Sequence, residues 1–335
     1  MGQPQVLRRQ NRQQVTEELF RQPSLTRPQL AERTGLSKVT VNAIVQELQR
    51  CGVVTLQGGE PQGCGRVPQQ VALHPRLGLV IGLDVQRGRV LHECRTLAGE
   101  GISQGEVPVG GELNETVIAL IRRVCADLPL WSVVIGIPAP LGDAGLPAEP
   151  NALPELDPAR LRQELGPALH FENDANLAAL AAAAELPEFA HLAVLLERRS
   201  GTGLGLLLNG EVYRGATGRA GELGRTPWPT PRGHEAIEQL PEAQRSEATA
   251  YALAGLSYTL DLQHVLIGSG AADSSELLRR TAALLPAGVT CSARTSCAEL
   301  VCAGASLLAL SLGRHRLQER LNTLSPLLPG ETHVA

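Results

Sequence analysis

A run of closely spaced glycines, Gly201-Thr202-Gly203-Leu204-Gly205, is the stretch of this chain most plainly able to do chemistry. Glycines at that spacing let backbone N–H groups approach an oxyanion, and the Thr202 hydroxyl adds a donor. Apolar runs at 192–196 and 204–208 enter and leave the motif, and Asn209-Gly210 turns the chain again. The spacing therefore predicts a hairpin with a glycine-rich mouth. A tight turn that needs glycine only for its dihedrals fits the same residues, and a short glycine motif does not decide between the two. The second chemistry-bearing group lies near the N-terminus, where Ser37, Lys38, Val39, Thr40 and Asn42 open a helix and Arg50 and Arg66 follow it.

The elements around that second group form a recognisable device. A loose apolar stripe predicts a helix over 6–20, interrupted at 23–26. Thr26 is a good N-cap, Pro28 is tolerated in a first turn, and Gly35 ends a short helix near Thr34. Ser37 caps the next helix, whose apolar positions are Val41, Ile44, Val45 and Leu48. Helix, glycine-containing turn and helix make a helix-turn-helix, and two short strands around a Gly/Pro/Gln loop make a wing. In this motif the second helix enters the DNA major groove, with its N-terminal residues at base edges. Ser37, Lys38, Val39, Thr40 and Asn42 are then groove contacts, and Arg50 with the wing residue Arg66 are phosphate or minor-groove contacts. A small helical domain that binds protein is the competing reading. A single head covers a short half-site, so a homodimer on an inverted repeat is expected, with a tetramer also open.

Composition agrees with that division. Residues 1–80 carry ten basic and five acidic side chains, whereas the rest carries 20 basic and 29 acidic. A basic head on an acidic body fits double-stranded DNA as partner. Aromatics make up only 2%, so the core must be built from Leu, Val and Ala. No apolar run is expected to reach a membrane span, and the N-terminus has no hydrophobic signal core. Seven cysteines without a C-x-x-C pair suggest reduced thiols and a cytoplasmic location, with no membrane partner.

Beyond His74-Pro75 the pattern changes to strands at 79–85, 88–94 and 105–109, a helix over 113–125 and a strand at 133–138. The order β-β-β-α-β implies an α/β mixed sheet. Strands flanking Gly201, a helix over 248–260, a strand at 265–270 and an Ala-rich helical end at 298–312 repeat the arrangement. A duplicated α/β lobe with a cleft between resembles the actin-like ATPase (ribonuclease H-like) architecture. Three segments are expected: a winged helix-turn-helix over 1–74, a first lobe over 75–188 and a second over 189–335, its last helix packing back on the first lobe.

Within this body, Glu172-Asn173-Asp174-Ala175-Asn176 before an Ala-rich helix resembles the E-N-D-A-N motif of the ROK family of sugar kinases and sugar-responsive repressors. The likeness extends through Gly136-Ile137-Pro138-Ala139-Pro140, Glu149-Pro150-Asn151-Ala152-Leu153, the Gly201 stretch and Gly218-Arg219-Ala220-Gly221-Glu222-Leu223-Gly224 to Ile267-Gly268-Ser269-Gly270. The winged helix in front is what the repressor branch has. The resemblance implies Asp174 as the base of a kinase and Asn173, Asp174 and Glu222 as sugar contacts, with Asn151 and Glu235 as further candidates. Carboxylates and amides suit a sugar because they pair with adjacent hydroxyls. The competing reading has Asp174 and Asn176 capping the helix over 177–184.

The departures from the family pattern set the expected activity. Its kinases have D-x-G-G-T after the first strand; here Asp84 is followed by Val85-Gln86-Arg87-Gly88, and two long side chains stand where glycines admit a triphosphate. Asp84, Gly201, Thr202, Gly203, Gly205, Gly268 and Gly270 are then vestiges of phosphate loops, Asp174 is a vestigial base, and ATP is not expected as a cofactor. The family's histidine after the G-E-x-G motif is Arg225, and its cysteine-rich zinc loop is absent. A lone His234 cannot make a structural zinc site, which needs about four ligands. The expectation is a repressor that binds operator DNA and senses a sugar in its cleft. The alternatives are a sugar kinase with an attached DNA-binding domain and a DNA-binding regulator with no ligand site left.

Overall fold

The computed structural model describes residues 3–58, 69–142, 144–149, 151–198, 201–269 and 274–323. The N-terminal segment comprises α1 (Gln3–Arg21), β1 (Ser24–Thr26), α2 (Arg27–Thr34), α3 (Lys38–Arg50), β2 (Val54–Gly58) and β3 (Gln69–Leu73). Thr26 and Gln29 close a reciprocal capping box at the start of α2, and Gly35 ends it at φ 70°. Ser37 Oγ accepts from the Thr40 N–H to start α3. The wing has one strand more than expected: Leu25 pairs with Val71, so β1 joins a three-stranded sheet of order β1-β3-β2. Leu25 is fully buried there, which is why this short segment is drawn into the sheet.

The first lobe contains β4 (Leu79–Gln86), β5 (Arg89–Thr96), β6 (Gly101–Pro108), α4 (Leu113–Cys125), β7 (Leu130–Ile137), α5 (Pro158–Leu165), β8 (Leu169–Asn173) and α6 (Asp174–Glu185). The second contains β9 (Leu192–Arg198), β10 (Gly201–Leu208), β11 (Glu211–Val212), β12 (Pro227–Thr230), β13 (Gly233–Ala236), α7 (Glu242–Leu260), β14 (His264–Ser269), α8 (Ser275–Leu284), β15 (Thr290–Arg294) and α9 (Cys297–Thr323). The two sheets have the same plan: order β6-β5-β4-β7-β8 in one and β11-β10-β9-β14-β15 in the other. In each, three antiparallel strands are followed by two parallel ones. Parallel pairing needs helical crossovers that cover the sheet faces, so β4, β7 and β14, interior strands of their sheets, are buried almost throughout.

Helices α6 and α9 lie between the sheets. Helix α9 is long and apolar enough to span a membrane, which the sequence reading did not anticipate, but much of it is buried against β4, β5, β7 and α6. Helix α6 is thin: Ala175, Ala178, Ala179, Ala181 and Ala182 are all buried, so its neighbours approach its backbone. A Cβ added at Gly205 of β10 would collide with the Ala175 carbonyl, and one added at Gly304 of α9 would collide with the Leu177 carbonyl. The glycine-rich stretch is thus one arm of the expected hairpin, Gly201 pairing with Arg198, and its Gly203 and Gly205 lie pressed on α6.

Gly205→Ala should lower stability by about 1–3 kcal/mol in urea denaturation, the cost of overpacking. Gly255→Ala, on the open face of α7 where an added Cβ meets nothing within 4 Å, should instead raise it by about 0.8–1 kcal/mol. Equal effects at the two positions would contradict the packing described.

Candidate functional site

Two sites take shape, and the first is a solvent-facing side of α3. Val41, Ile44, Val45 and Leu48 turn inward, leaving Lys38, Val39, Asn42, Ala43, Gln46 and Gln49 outside. Val39, 79% exposed, stands on this face among polar side chains. Ser37 and Thr40 share a hydroxyl contact of 2.9 Å within the cap. Gln46 extends the face and was not nominated from sequence, although it lies four residues beyond Asn42. Arg50 sits at the far end of α3, its Nε donating to the Gln46 carbonyl. Arg66 lies outside the described residues. The helix is oriented from behind: Glu47 accepts from Arg8 and Arg12 of α1, both at 2.6 Å.

The second site is the base of the cleft between the lobes. Asp84, fully buried near the end of β4, receives Arg198 in a fork: Nη1 to Oδ1 at 3.0 Å and Nη2 to Oδ2 at 2.9 Å. The same Nη1 lies 3.3 Å from Asp174 Oδ2, and Nη2 reaches the Cys297 carbonyl at 3.4 Å. One guanidinium from β9 therefore bridges two carboxylates of the opposite lobe. The sequence reading missed Arg198, since residues 84, 174 and 198 share no local spacing. Burial alone would lower its pKa, but Asp84 and Asp174 more than offset that and hold the charge. Burial also pushes Asp174 up to about 6; Arg198 and the Ala175 N–H pull it down, while Asp84 and Glu222 push it further up.

The residues expected to admit nucleotide are turned to other tasks. Gln86 Nε2 donates to Asp84 Oδ2 at 2.6 Å, and Arg87 crosses to the Ala152 carbonyl at 3.3 Å. Gly203 lies against the Ala175 side chain. Gly201 has φ 138° and opens β10, and Thr202 pairs with Glu197 inside the hairpin. Gly268 packs in β14 beneath Cys297, and Gly270 lies outside the described residues. Both oxygens of Asp84 are thus engaged, one by Arg198 alone and the other by Arg198 and Gln86. Among the described residues no group of three or more His, Cys, Asp or Glu could hold a metal.

The sugar candidates divide. Asn173 is the N-cap of α6: its Oδ1 accepts from the Ala175 and Asn176 N–H groups and its Nδ2 donates to the Ala139 carbonyl, while Asp174 Oδ1 shares the Ala175 N–H at 2.8 Å. Asn176 instead bonds Glu172, which Arg214 of the second lobe grips at 2.6 Å. Asn151 Oδ1 takes the Leu153 N–H, leaving its amide nitrogen as the group on offer. Glu222 is half-buried and pairs with Arg225 at 3.2 Å; burial raises its pKa, Arg225 opposes this, and Glu238 adds to it. Glu235 accepts from Thr230 within its own hairpin. The carboxylate that reaches the glycine stretch is Glu238, whose Oε2 would touch a Cβ placed at Gly201 or Gly224. Its signal in the sequence was Ile237-Glu238, three residues beyond the position chosen.

Comparisons with known proteins extend this picture. The ROK family pattern matches residues 92–322, and a winged helix-turn-helix DNA-binding pattern matches residues 8–55. A putative xylose repressor of Caldicellulosiruptor sp. (strain Rt8B.4) is 26% identical over 243 residues, which cover 67% of this chain and 60% of that protein. The chain thus spans about 60% of the length of the curated relatives it matches. The crystal structure of a ROK family transcriptional regulator, a homolog of the E. coli MLC protein, superposes with a TM-score of 0.64 at 15% identity, covering 93% of this chain and 98% of that one. A ROK family glucokinase from Streptomyces griseus, in complex with glucose and AMPPNP, gives 0.55 at 17% identity, covering 70% and 100%. These structures establish a shared fold.

The raised Asp174 pKa carries a sign that can be checked. Between its ordinary value of 3.8 and about 6 the folded state holds a proton that the unfolded state has lost. Stability associated with this group is therefore full below about pH 4 and is lost as pH rises through 6, by on the order of 2–3 kcal/mol. Asp174→Asn should flatten the stability–pH profile between pH 4.5 and 6.5 in urea titrations. An unchanged slope would remove Asp174 from this role.

Proposed function

The chain belongs to the ROK family, and from that premise we propose that it is a DNA-binding transcriptional repressor whose grip on an operator is adjusted by a sugar held between its lobes. The observation that carries this reading is the joining of an outward-facing, partly apolar recognition helix to a family body whose two central carboxylates are bridged by Arg198. Lys38, Val39, Asn42 and Gln46 would enter the major groove, with Ser37 and Thr40 at the groove-entering end and Arg50 and Arg66 toward the phosphates. A homodimer on an inverted repeat follows from the short reach of one head, and the cytoplasm is where such a protein works.

The sugar would sit above Asp174, against Glu222 and Glu238, with Asn151 offering its amide and Asn173 its remaining N–H. Xylose is the first ligand to test, because the curated relatives are named for it. Arg198 argues against phosphoryl transfer. A base must be free to take a proton, and a cation must reach the phosphates; here a guanidinium occupies both carboxylates. One observation favours the kinase alternative: a carboxylate with pKa about 6 suits a general base.

Anisotropy with the chain's own promoter DNA should show binding that weakens steeply with salt. Lys38→Ala should reduce the salt slope by about 1, and Asn42→Ala should cost about 1–3 kcal/mol at one base position. Binding indifferent to salt and to both substitutions would overturn the repressor reading. A coupled ADP-release assay over xylose, glucose and related sugars should give no turnover; turnover abolished by Asp174→Asn would establish the kinase instead.

A further inference from the structure

Helix α9 joins the two sites physically. It runs 27 residues, about 40 Å at 1.5 Å per residue. At its first residue, Arg198 Nη2 donates to the Cys297 carbonyl while the same guanidinium holds Asp84 and Asp174. Near its other end, Arg12 Nη2 of α1 donates to Asn322 Oδ1 at 3.5 Å, and Arg12 Nη1 holds Glu47 of the recognition helix at 2.6 Å. Arg12 is 4% exposed, so this junction is interior. The Arg314 guanidinium lies 4.9 Å from the centre of the Phe20 ring of α1 and is anchored by the Leu97 and Ala98 carbonyls at 2.9 and 3.1 Å. Leu317 and Leu321 share one apolar cluster with Val15 and Leu19.

Between these ends the helix has little freedom to bend. Gly304 meets the Leu177 carbonyl, Gly82 of β4 meets the Ser306 backbone, and Arg95 donates to Ser306 Oγ at 2.8 Å. Packed this closely, α9 moves as a rod or not at all. Resting on the repressor reading above, we infer that α9 is the coupling element: a change of partners at Arg198 shifts its first turn, and its last three turns carry the shift through Phe20 and Arg12 to α3. A sugar hydroxyl that bonds Asp174 competes with Arg198 for that carboxylate. The guanidinium then withdraws toward Asp84 and draws the Cys297 carbonyl with it. Coupling requires that both sites bias one two-state element; α9 meets the cleft directly and the recognition helix through Arg12 of α1.

A double-mutant cycle tests this without knowledge of the ligand. Asp174→Asn perturbs the cleft; Phe20→Leu with Asn322→Ala removes the ring and amide contacts through which α9 reaches α1, while leaving the Arg314 anchors and the α3 surface in place. On the full chain, Asp174→Asn should change operator Kd at least threefold, and on the Phe20→Leu/Asn322→Ala background by less than 1.5-fold. Equal shifts on both backgrounds, or no shift on either, overturn the inference. Hydrogen exchange supplies a readout independent of DNA: Asp174→Asn should alter amide protection both at 297–301 and at 314–322. A change confined to the cleft end rejects α9 as the carrier, even should the seam variant fail to fold. Absence of operator binding by the wild-type chain would instead count against the repressor reading, and the exchange measurement would still decide the role of α9.

Discussion

Two carboxylates buried within reach of one another cannot both stay ionised without a cation between them, and Arg198 is that cation. Asp84 and Asp174 come from the first lobe and Arg198 from the second, so neutralising the charge also joins the lobes. Removing one member of such a set typically costs about 3–5 kcal/mol, because a bare charge remains in the interior. Asp174 bears the residual imbalance and holds its proton to about pH 6, whereas Asp84, with Arg198 and Gln86 upon it, is fully satisfied. A second crossing, Arg214 on Glu172, ties the lobes two residues before Asp174 in the chain. Arg294 of β15 pairs with Glu185 of α6 as well, and a ligand changes the angle between the lobes only by favouring one arrangement of such contacts.

Much of this architecture was legible in the sequence wherever its causes are local. Thr26, Gly35 and Ser37 punctuate the helix-turn-helix through capping and dihedral preferences that operate over three or four residues, and the helix over 113–125 follows from apolar spacing. The E-N-D-A-N stretch was legible as a likeness, yet its internal division of labour was not: Asn173 takes the cap because its Oδ1 faces two free N–H groups, which leaves Asp174 for Arg198. Arg198 itself left no trace, because a cross-lobe ion pair has no sequence period. The glycines at 203 and 205 carried a signal that was real but ambiguous. They are required by the closeness of α6, a fact that only the packing of two distant segments reveals. Glu238 was missed for Glu235 because a hairpin of unknown length stands between Glu222 and either residue.

Duplication explains why so little side-chain bulk suffices in the middle of the molecule. Two sheets of the same order face each other across a layer that holds α6 and α9, and the layer is kept thin by alanine and glycine. With aromatics at 2% of the chain, contact must come from backbone-to-backbone proximity rather than from large rings filling space. Tight layers of this kind have low compressibility, so a displacement at one edge is conveyed to the other instead of being absorbed.

The seam at Arg12 has a consequence for how such proteins can be rearranged. Its guanidinium answers at once to a carboxylate on the recognition helix and an amide on the last helix, 310 residues along the chain. A winged head bounded by a polar, watery joint could be exchanged among bodies like a fitting. This head shares its oily interior with the trunk, and transplanting it alone would strip α9 of its cover and leave Arg12 holding only half of its partners. Recombination that preserves this seam must therefore exchange residues 3–50 together with α9, although 310 residues separate the side chains that meet there.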